Sequence, residues 1–238
     1  MSDCTKILGI RIDGFSRENI EDWVRGALDG EPKQKFIATL NAEIILKGYR
    51  DKKYAAILNG ADLNLCDGFG PRLASWVLGK RIKSRYTGVD LVDFALKSAK
   101  ERNFNVLVVA AKNSLSRPEK IENSIKEKYG IQAQVEYFDE RIFQGEAAKA
   151  AQIVFSNFGA PEQEKFLSRN REKFPNAKIL AGVGGAFDFL TGKMKRAPVW
   201  MRKIGIEWLF RFIQEPKRAK RIWNAVLVFP ALVVFSRK

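Results

Sequence analysis

Not one of the 238 residues is histidine, and this absence excludes more chemistry than any other feature of the chain. Imidazole acid–base catalysis, Ser–His and Cys–His nucleophile pairs and the common histidine-containing zinc sites are ruled out. A catalytic base must therefore be Asp, Glu, Lys or Tyr. Cysteine is scarce: Cys4 and Cys66 are the only two, far apart and in apolar surroundings, so there is neither a disulfide framework nor a CxxC motif, and a reducing cytosol fits best. No DxD-like pair or metal-ligand cluster appears, so neither a metal nor a cofactor is expected. The longest apolar run, Ala225–Phe235, carries Pro230 at its middle and falls short of the roughly 18 residues needed to cross a bilayer. The first residues lack a basic segment leading into a long apolar one, so no secretory signal is expected and the protein should stay inside the cell. Internal repeats and low-complexity linkers are missing too.

What is present is enough for a folded protein. Hydrophobic residues make up 46% and aromatics 11%, which can bury one substantial core and reads as one domain with an appendage. The formal net charge is +15, pointing to an anionic partner: nucleic acid, a phospholipid surface or a phosphorylated substrate. Its placement is uneven. Residues 193–238 hold twelve basic residues against only Glu207 and Glu215, a surplus of ten out of fifteen.

Short β-rich runs alternate with helical patterns. Strands are expected at Ile7–Ile12, Lys35–Leu40, Asp62–Cys66, Phe104–Ala110, Gln132–Phe138, Ile153–Phe158 and Lys178–Val183. Between them, helices are expected from Ser16 to Gly30 and over Ala42–Tyr49, Pro71–Leu78, Val89–Ala99, Arg117–Tyr129, Gly145–Ala151 and Glu162–Phe174. Strands joined by helices of this length imply right-handed crossovers, hence an α/β fold: a Rossmann-like, mostly parallel sheet flanked by helices. The pattern gives way near Thr191–Pro198 to a basic, aromatic tail, which divides the chain into an α/β core at 1–192 and a basic amphipathic helical appendage at 193–238.

Ligands of such sheets bind at the carboxyl ends of the strands, and polar clusters fall at four of those ends. Asp67, in LCDGFGP, is a candidate general base with two glycines that let a substrate approach, or a simple Asx-turn. Thr39 and Asn41 follow a buried strand; one side chain would suffice to cap the next helix, leaving the other for a ligand. Arg85, Thr87 and Gly88 open a helix whose N–H groups, with the arginine, suit a phosphate or hydroxyl, while Asp90 serves the helix dipole. Asp62 reads as structural. The run GVGGAFD, with Gly184 and Gly185, lacks the third glycine of a dinucleotide fingerprint but allows close approach of a nucleotide. In the tail, Met201, Ile204, Trp208 and Phe212 recur at helical spacing among basic residues, and a second basic cluster precedes Trp223 and the apolar run. That is either a helix packed on the core with a solvated basic face or a segment lying in a membrane interface.

In order along the chain, TLNAE, ADLNLCDGFGP, RYTGVDL, FGAPEQEKF, GVGGAFDFLTG and RAPVWMRKIGIEWLFRFIQEPKR resemble the WecG/TagA/CpsF family of bacterial glycosyltransferases, glycosyltransferase family 26. The resemblance implies sugar transfer from a UDP-sugar to a polyprenyl-diphosphate-linked amino sugar, with inversion and without a required metal. It also implies work at the inner face of the cell membrane, as a peripheral protein, in the synthesis of teichoic acid, enterobacterial common antigen or capsule. It places the catalytic base on Asp67, the family's Thr-x-Asn on Thr39 and Asn41, and its Gln-Glu pair on Gln163 and Glu164. Arg196, Arg211, Arg218 and Arg221 become the arginines near the diphosphate. N-acetylmannosamine is the first expectation for the sugar and N-acetylglucosamine for the acceptor; glucose and N-acetylmannosaminuronic acid are the alternatives. A non-enzymatic nucleic-acid binder is the reading from another class, disfavoured because the charge sits beside an apolar run and no nucleic-acid motif appears. A nucleotide-sugar oxidoreductase lacks its fingerprint. Oligomeric state stays open, since a face buried on a second copy and one buried on lipid look alike in sequence.

Overall fold

The computed structural model describes residues 4–30, 33–214 and 219–236. Helix starts follow local capping chemistry. Ser16 Oγ accepts from the Asn19 N–H ahead of α1 (Arg17–Asp29), and Asn41 and Asp51 cap α2 (Ala42–Arg50) and α3 (Lys52–Asn59) in the same way. Thr87 and Asp90 form a reciprocal capping box at the start of α5 (Gly88–Arg102). α6 (Pro118–Tyr129) begins on proline and ends at Gly130 with φ +67°. Shorter helices complete the core: α4 (Phe69–Val77), α7 (Glu146–Ala150), α8 (Glu162–Arg169) and α9 (Ala186–Leu190).

Six strands form one parallel sheet: β3 (Lys35–Leu40), β4 (Leu63–Cys66), β5 (Val106–Ala110), β6 (Gln134–Tyr137), β7 (Ile153–Ser156) and β8 (Ile179–Gly182). Their order is β4-β3-β8-β7-β5-β6. Both faces are covered, so the strands read as continuous apolar runs whose alternate residues feed two core layers. Phe36, Ala38 and Leu40 of β3, with Leu107 and Val109 of β5, enter one layer. Ile37, with Val106, Val108 and Ala110, enters the other.

The expected first strand, Ile7–Ile12, is instead an antiparallel hairpin outside this sheet: β1 (Cys4–Ile7) and β2 (Ile10–Asp13), turning at Leu8 and Gly9 with φ of +50° and +80°. Two consecutive positive φ values are what a tight hairpin turn demands. Asp13 fastens the hairpin to β4 by accepting from the Asn64 N–H at 2.8 Å. The helix expected over Glu162–Phe174 stops at Arg169 and is followed by a 3₁₀ turn at Arg171–Lys173.

Beyond the core lie α10 (Val199–Lys203), α11 (Glu207–Gln214), α12 (Ala219–Trp223), a π-helical stretch over Asn224–Val228, and α13 (Phe229–Phe235). α13 returns to the core: Phe229 and Val233 are buried in the same cluster as Ala42, Ile44 and Ala74. Among the described residues, no helix is long and apolar enough to cross a membrane.

Candidate active site

Five strand exits, rather than four, surround a crevice of about 280 Å³. Asp67 follows β4 directly, and its N–H donates to Leu40 O at 2.8 Å, which fixes it beside the exit of β3. Burial, reinforced by the neighbouring Asp67 carboxylate, pushes the Cys66 thiol up to about 12, so this cysteine is inert at neutral pH.

Thr39 and Asn41 share out the work that the sequence left open. Asn41 Oδ1 accepts from Ile44 N–H at 3.0 Å and is the helix cap. Thr39 donates to Gly182 O at 2.9 Å, joining the exits of β3 and β8. Both line the crevice. Gln163, almost wholly buried, accepts from the backbone N–H groups of Gly159 at 3.2 Å and Gly184 at 2.9 Å, so its amide oxygen clamps the loops after β7 and β8 together. Glu164 lies behind the crevice rather than on it, accepting from Gln163 Nε2 at 2.6 Å and from the Tyr54 hydroxyl at 2.7 Å. Burial raises the Glu164 carboxyl above its ordinary value, and its two donors offset this in part.

The start of α5 is pressed onto the loop after β8: a methyl group on Gly88 would lie 2.9 Å from Val183 O. Thr87, Gly88, Gly184 and Gly185 line the crevice, and so do Arg85, Arg196 and Arg221. The side chain of Arg211 and the whole of Arg218 lie outside the described residues.

Each crevice arginine meets a carboxylate. Arg85 donates through Nη2 to Glu207, the first residue of α11. Arg221 donates through Nε to Glu43 at 2.8 Å. Arg196 lies 3.8 Å from Asp90 and donates to Thr87 Oγ1 at 3.2 Å. Burial works against the Arg85 charge, and Glu207, then Asp67 and Asp90, more than restore it. Arg85 Nε is buried without a hydrogen-bond partner among the described residues, a donor that a ligand oxygen could satisfy. Met194, Arg196, Glu207 and Arg221, all beyond residue 192, thus line the crevice together with the strand exits.

Residues that the sequence did not single out are Asn113 and Ser114 after β5, Asn157 after β7, and the acid Glu207; Glu43, the acid of TLNAE, also lines the crevice. The signal for the first pair was available: AAKNS follows a buried strand just as TLNAE does. Asp188, also on the crevice, accepts from the buried Ser116 hydroxyl at 2.7 Å. Among the described residues, no group of three or more acidic or cysteine side chains could hold a metal ion.

The WecG/TagA/CpsF glycosyl transferase family matches residues 5–238. A Bacillus spizizenii protein named N-acetylglucosaminyldiphosphoundecaprenol N-acetyl-beta-D-mannosaminyltransferase is 33% identical over 208 residues, covering 84% of this chain and 78% of its own length. Its namesake in Bacillus subtilis is 31% identical, covering 78% and 74%, and one in Staphylococcus aureus is 28% identical, covering 98% and 93%. With the parallel α/β sheet and a crevice at its strand exits, these matches show that the chain belongs to the WecG/TagA/CpsF family of glycosyltransferases.

Proposed function

We propose that this protein transfers N-acetylmannosamine from its UDP derivative to N-acetylglucosamine carried on a polyprenyl diphosphate, with inversion, at the inner face of the cell membrane. The observation that carries the reading is the convergence of Asp67 with Arg85, Arg196 and Arg221 on one crevice in a chain of this family. The sugar and the acceptor follow the names of the relatives in Bacillus and Staphylococcus.

In this mechanism the acceptor hydroxyl oxygen attacks the anomeric carbon from the face opposite the diphosphate. The new C–O bond forms as the bond to the departing diphosphate breaks, and the hydroxyl proton passes to the Asp67 carboxylate. One displacement of this kind inverts the anomeric centre. Charge accumulates on the leaving diphosphate, where arginine forks and backbone N–H groups stabilise it. The arginines exchange their present carboxylate partners for phosphate oxygens as the donor binds.

The division into a core at 1–192 and an appendage at 193–238 belongs to the same proposal. The tail lies in the lipid interface: Trp200 and Trp223 are 59% and 62% exposed, in a segment holding ten of the fifteen surplus positive charges. Exposed tryptophans among basic residues suit an anionic headgroup layer.

A panel of UDP-sugars assayed against diphosphate-linked N-acetylglucosamine tests the substrate assignment; product from UDP-N-acetylmannosamine is expected, and preference for another sugar overturns it. Asp67→Asn is expected to lower kcat by about 10²–10⁴ with little change in donor affinity, the usual worth of a general base. Near-normal turnover in that variant refutes the role of Asp67.

A further inference from the structure

The apolar surface of the tail has a counterpart on the core that the proposed function does not use. Helix α4 starts two residues after Asp67 and carries Phe69, Leu73 and Trp76 at i, i+4 and i+7, one stripe along its length. The near end of the stripe is covered: a methyl group on Gly205, in the tail, would lie 2.5 Å from the Phe69 ring. The far end is bare, with Leu73 42% and Trp76 47% exposed. The Arg72 guanidinium lies 5.4 Å from the centre of the Trp76 ring, holding the indole at the surface.

Basic side chains flank this bare end. Ile82 is fully buried and its N–H donates to Ser75 Oγ at 3.2 Å, which pins the segment after α4 to the core. Pinned there, the chain turns Lys80, Arg81 and Lys83 outward, and all three are exposed. α4 also packs against α13, where a methyl group on Gly70 would touch the Phe229 ring at 3.7 Å, and α13 exposes Val234 and Phe235 at its end. Apolar side chains thus emerge on adjacent helices from core and tail, beside positive charge.

We infer that the exposed end of α4, with Lys80 and Arg81, is a second membrane contact made by the core itself, and that its occupant is the anionic lipid interface. Tryptophan next to cations favours the headgroup layer, where its ring buries apolar area while each basic residue gains from the negative surface potential. The contact sets the height of the active site. From Phe69 to Trp76 the helix rises roughly 10 Å at about 1.5 Å per residue, so an anchored Trp76 keeps Asp67 within about one headgroup layer of the bilayer, where a diphosphate on a lipid resides. The inference rests on the tail's reading as a lipid-binding segment and extends it to the core.

The test uses the full chain with Trp76 as its sole tryptophan, Trp23, Trp200, Trp208 and Trp223 being replaced by Phe, and phosphatidylglycerol-containing vesicles carrying brominated acyl chains. Trp76 emission is expected to shift to the blue and to be quenched by the brominated lipid. In case the quadruple replacement fails to fold, Trp76→Phe in the otherwise unaltered chain is expected to remove part of the lipid-quenched emission. The pair Lys80→Ser and Arg81→Ser is expected to lower vesicle partitioning roughly 30-fold, from about 1 kcal/mol for each basic residue. If Trp76 stays open to aqueous quenchers while the unaltered chain's other tryptophans are quenched by the lipid, the inference falls and the tail's role stands. If no tryptophan is quenched, both fall. Emission already blue-shifted without lipid and rising with protein concentration would assign this face to a second copy of the chain and also overturn the inference.

Discussion

Gln163 has no hydrogen-bonding capacity to waste. Its oxygen faces two backbone N–H groups, so its NH₂ must face the adjacent carboxylate, and Glu164 in turn needs the Tyr54 hydroxyl on its other oxygen. Glu164→Gln can keep this chain intact, with its carbonyl accepting from Gln163 and its NH₂ donating to the Tyr54 oxygen. Glu164→Leu strands two buried polar groups, each at a cost of about 1–3 kcal/mol, and frees Gln163 to turn. The Gln variant is expected to keep kcat/KM within about threefold, and the Leu variant to raise the donor KM more than it lowers kcat, as steady-state kinetics would show. The same carboxyl predicts a pH effect. Because burial raises its pKa, the folded state holds the proton at pH values where the unfolded chain, titrating near 4.3, has lost it. The folded state therefore binds more protons in that window, and stability falls as pH rises through it. The stability of Glu164→Gln relative to the parent should grow from about pH 4 toward neutrality in denaturant titrations. The sequence marked Gln163 and Glu164 as a pair but could not separate their roles, because the partner that draws Glu164 inward, Tyr54, lies 110 residues away.

Elements were legible where the signal is local. Caps, the alternation of strand and helix, and the buried parallel strands follow from periodicity and punctuation. The Ile7–Ile12 segment was not, since Leu8 and Gly9 interrupt an apolar run too briefly to look like a turn. Only their positive φ values, imposed when β1 folds back on β2, reveal it. Two glycines separate backbone conformation from packing. A methyl group at Gly9 or at Gly26 meets nothing within 4 Å, yet Gly9 sits at φ +80° and Gly26 in the interior of α1. Gly9→Ala is expected to cost about 1 kcal/mol or more through the left-handed backbone. Gly26→Ala should add roughly 0.4–1 kcal/mol by restricting the unfolded chain. Equal midpoints in chemical denaturation for the two variants would contradict this reading of the hairpin.

In the whole molecule, residues 193–238 supply both exposed and buried apolar side chains. Basic and apolar residues mark this stretch in sequence as one amphipathic unit, but no periodicity says which apolar side chains turn inward; Trp223 is exposed whereas Phe229, six residues on, is fully buried. The same limit hid Glu207, an isolated acid in a basic tail whose partner, Arg85, lies in the core. Two tail side chains therefore report on different things. Phe229→Ala removes a buried ring from the cluster that includes Ala42 and Ala74 and should cost about 3–5 kcal/mol, visible as a lower Tm. Arg221 is half exposed and its pairing with Glu43 is a surface ion pair, worth about 1 kcal/mol or less. Arg221→Ala should leave Tm nearly unchanged yet lower kcat/KM by about 10–100-fold, because a charge-assisted hydrogen bond to the leaving diphosphate is worth about 1.5–3 kcal/mol. Loss of activity without loss of stability is the outcome that assigns Arg221 to the reaction. Unchanged activity would leave it a surface ion pair and place the stabilisation of the leaving group on Arg85 and Arg196.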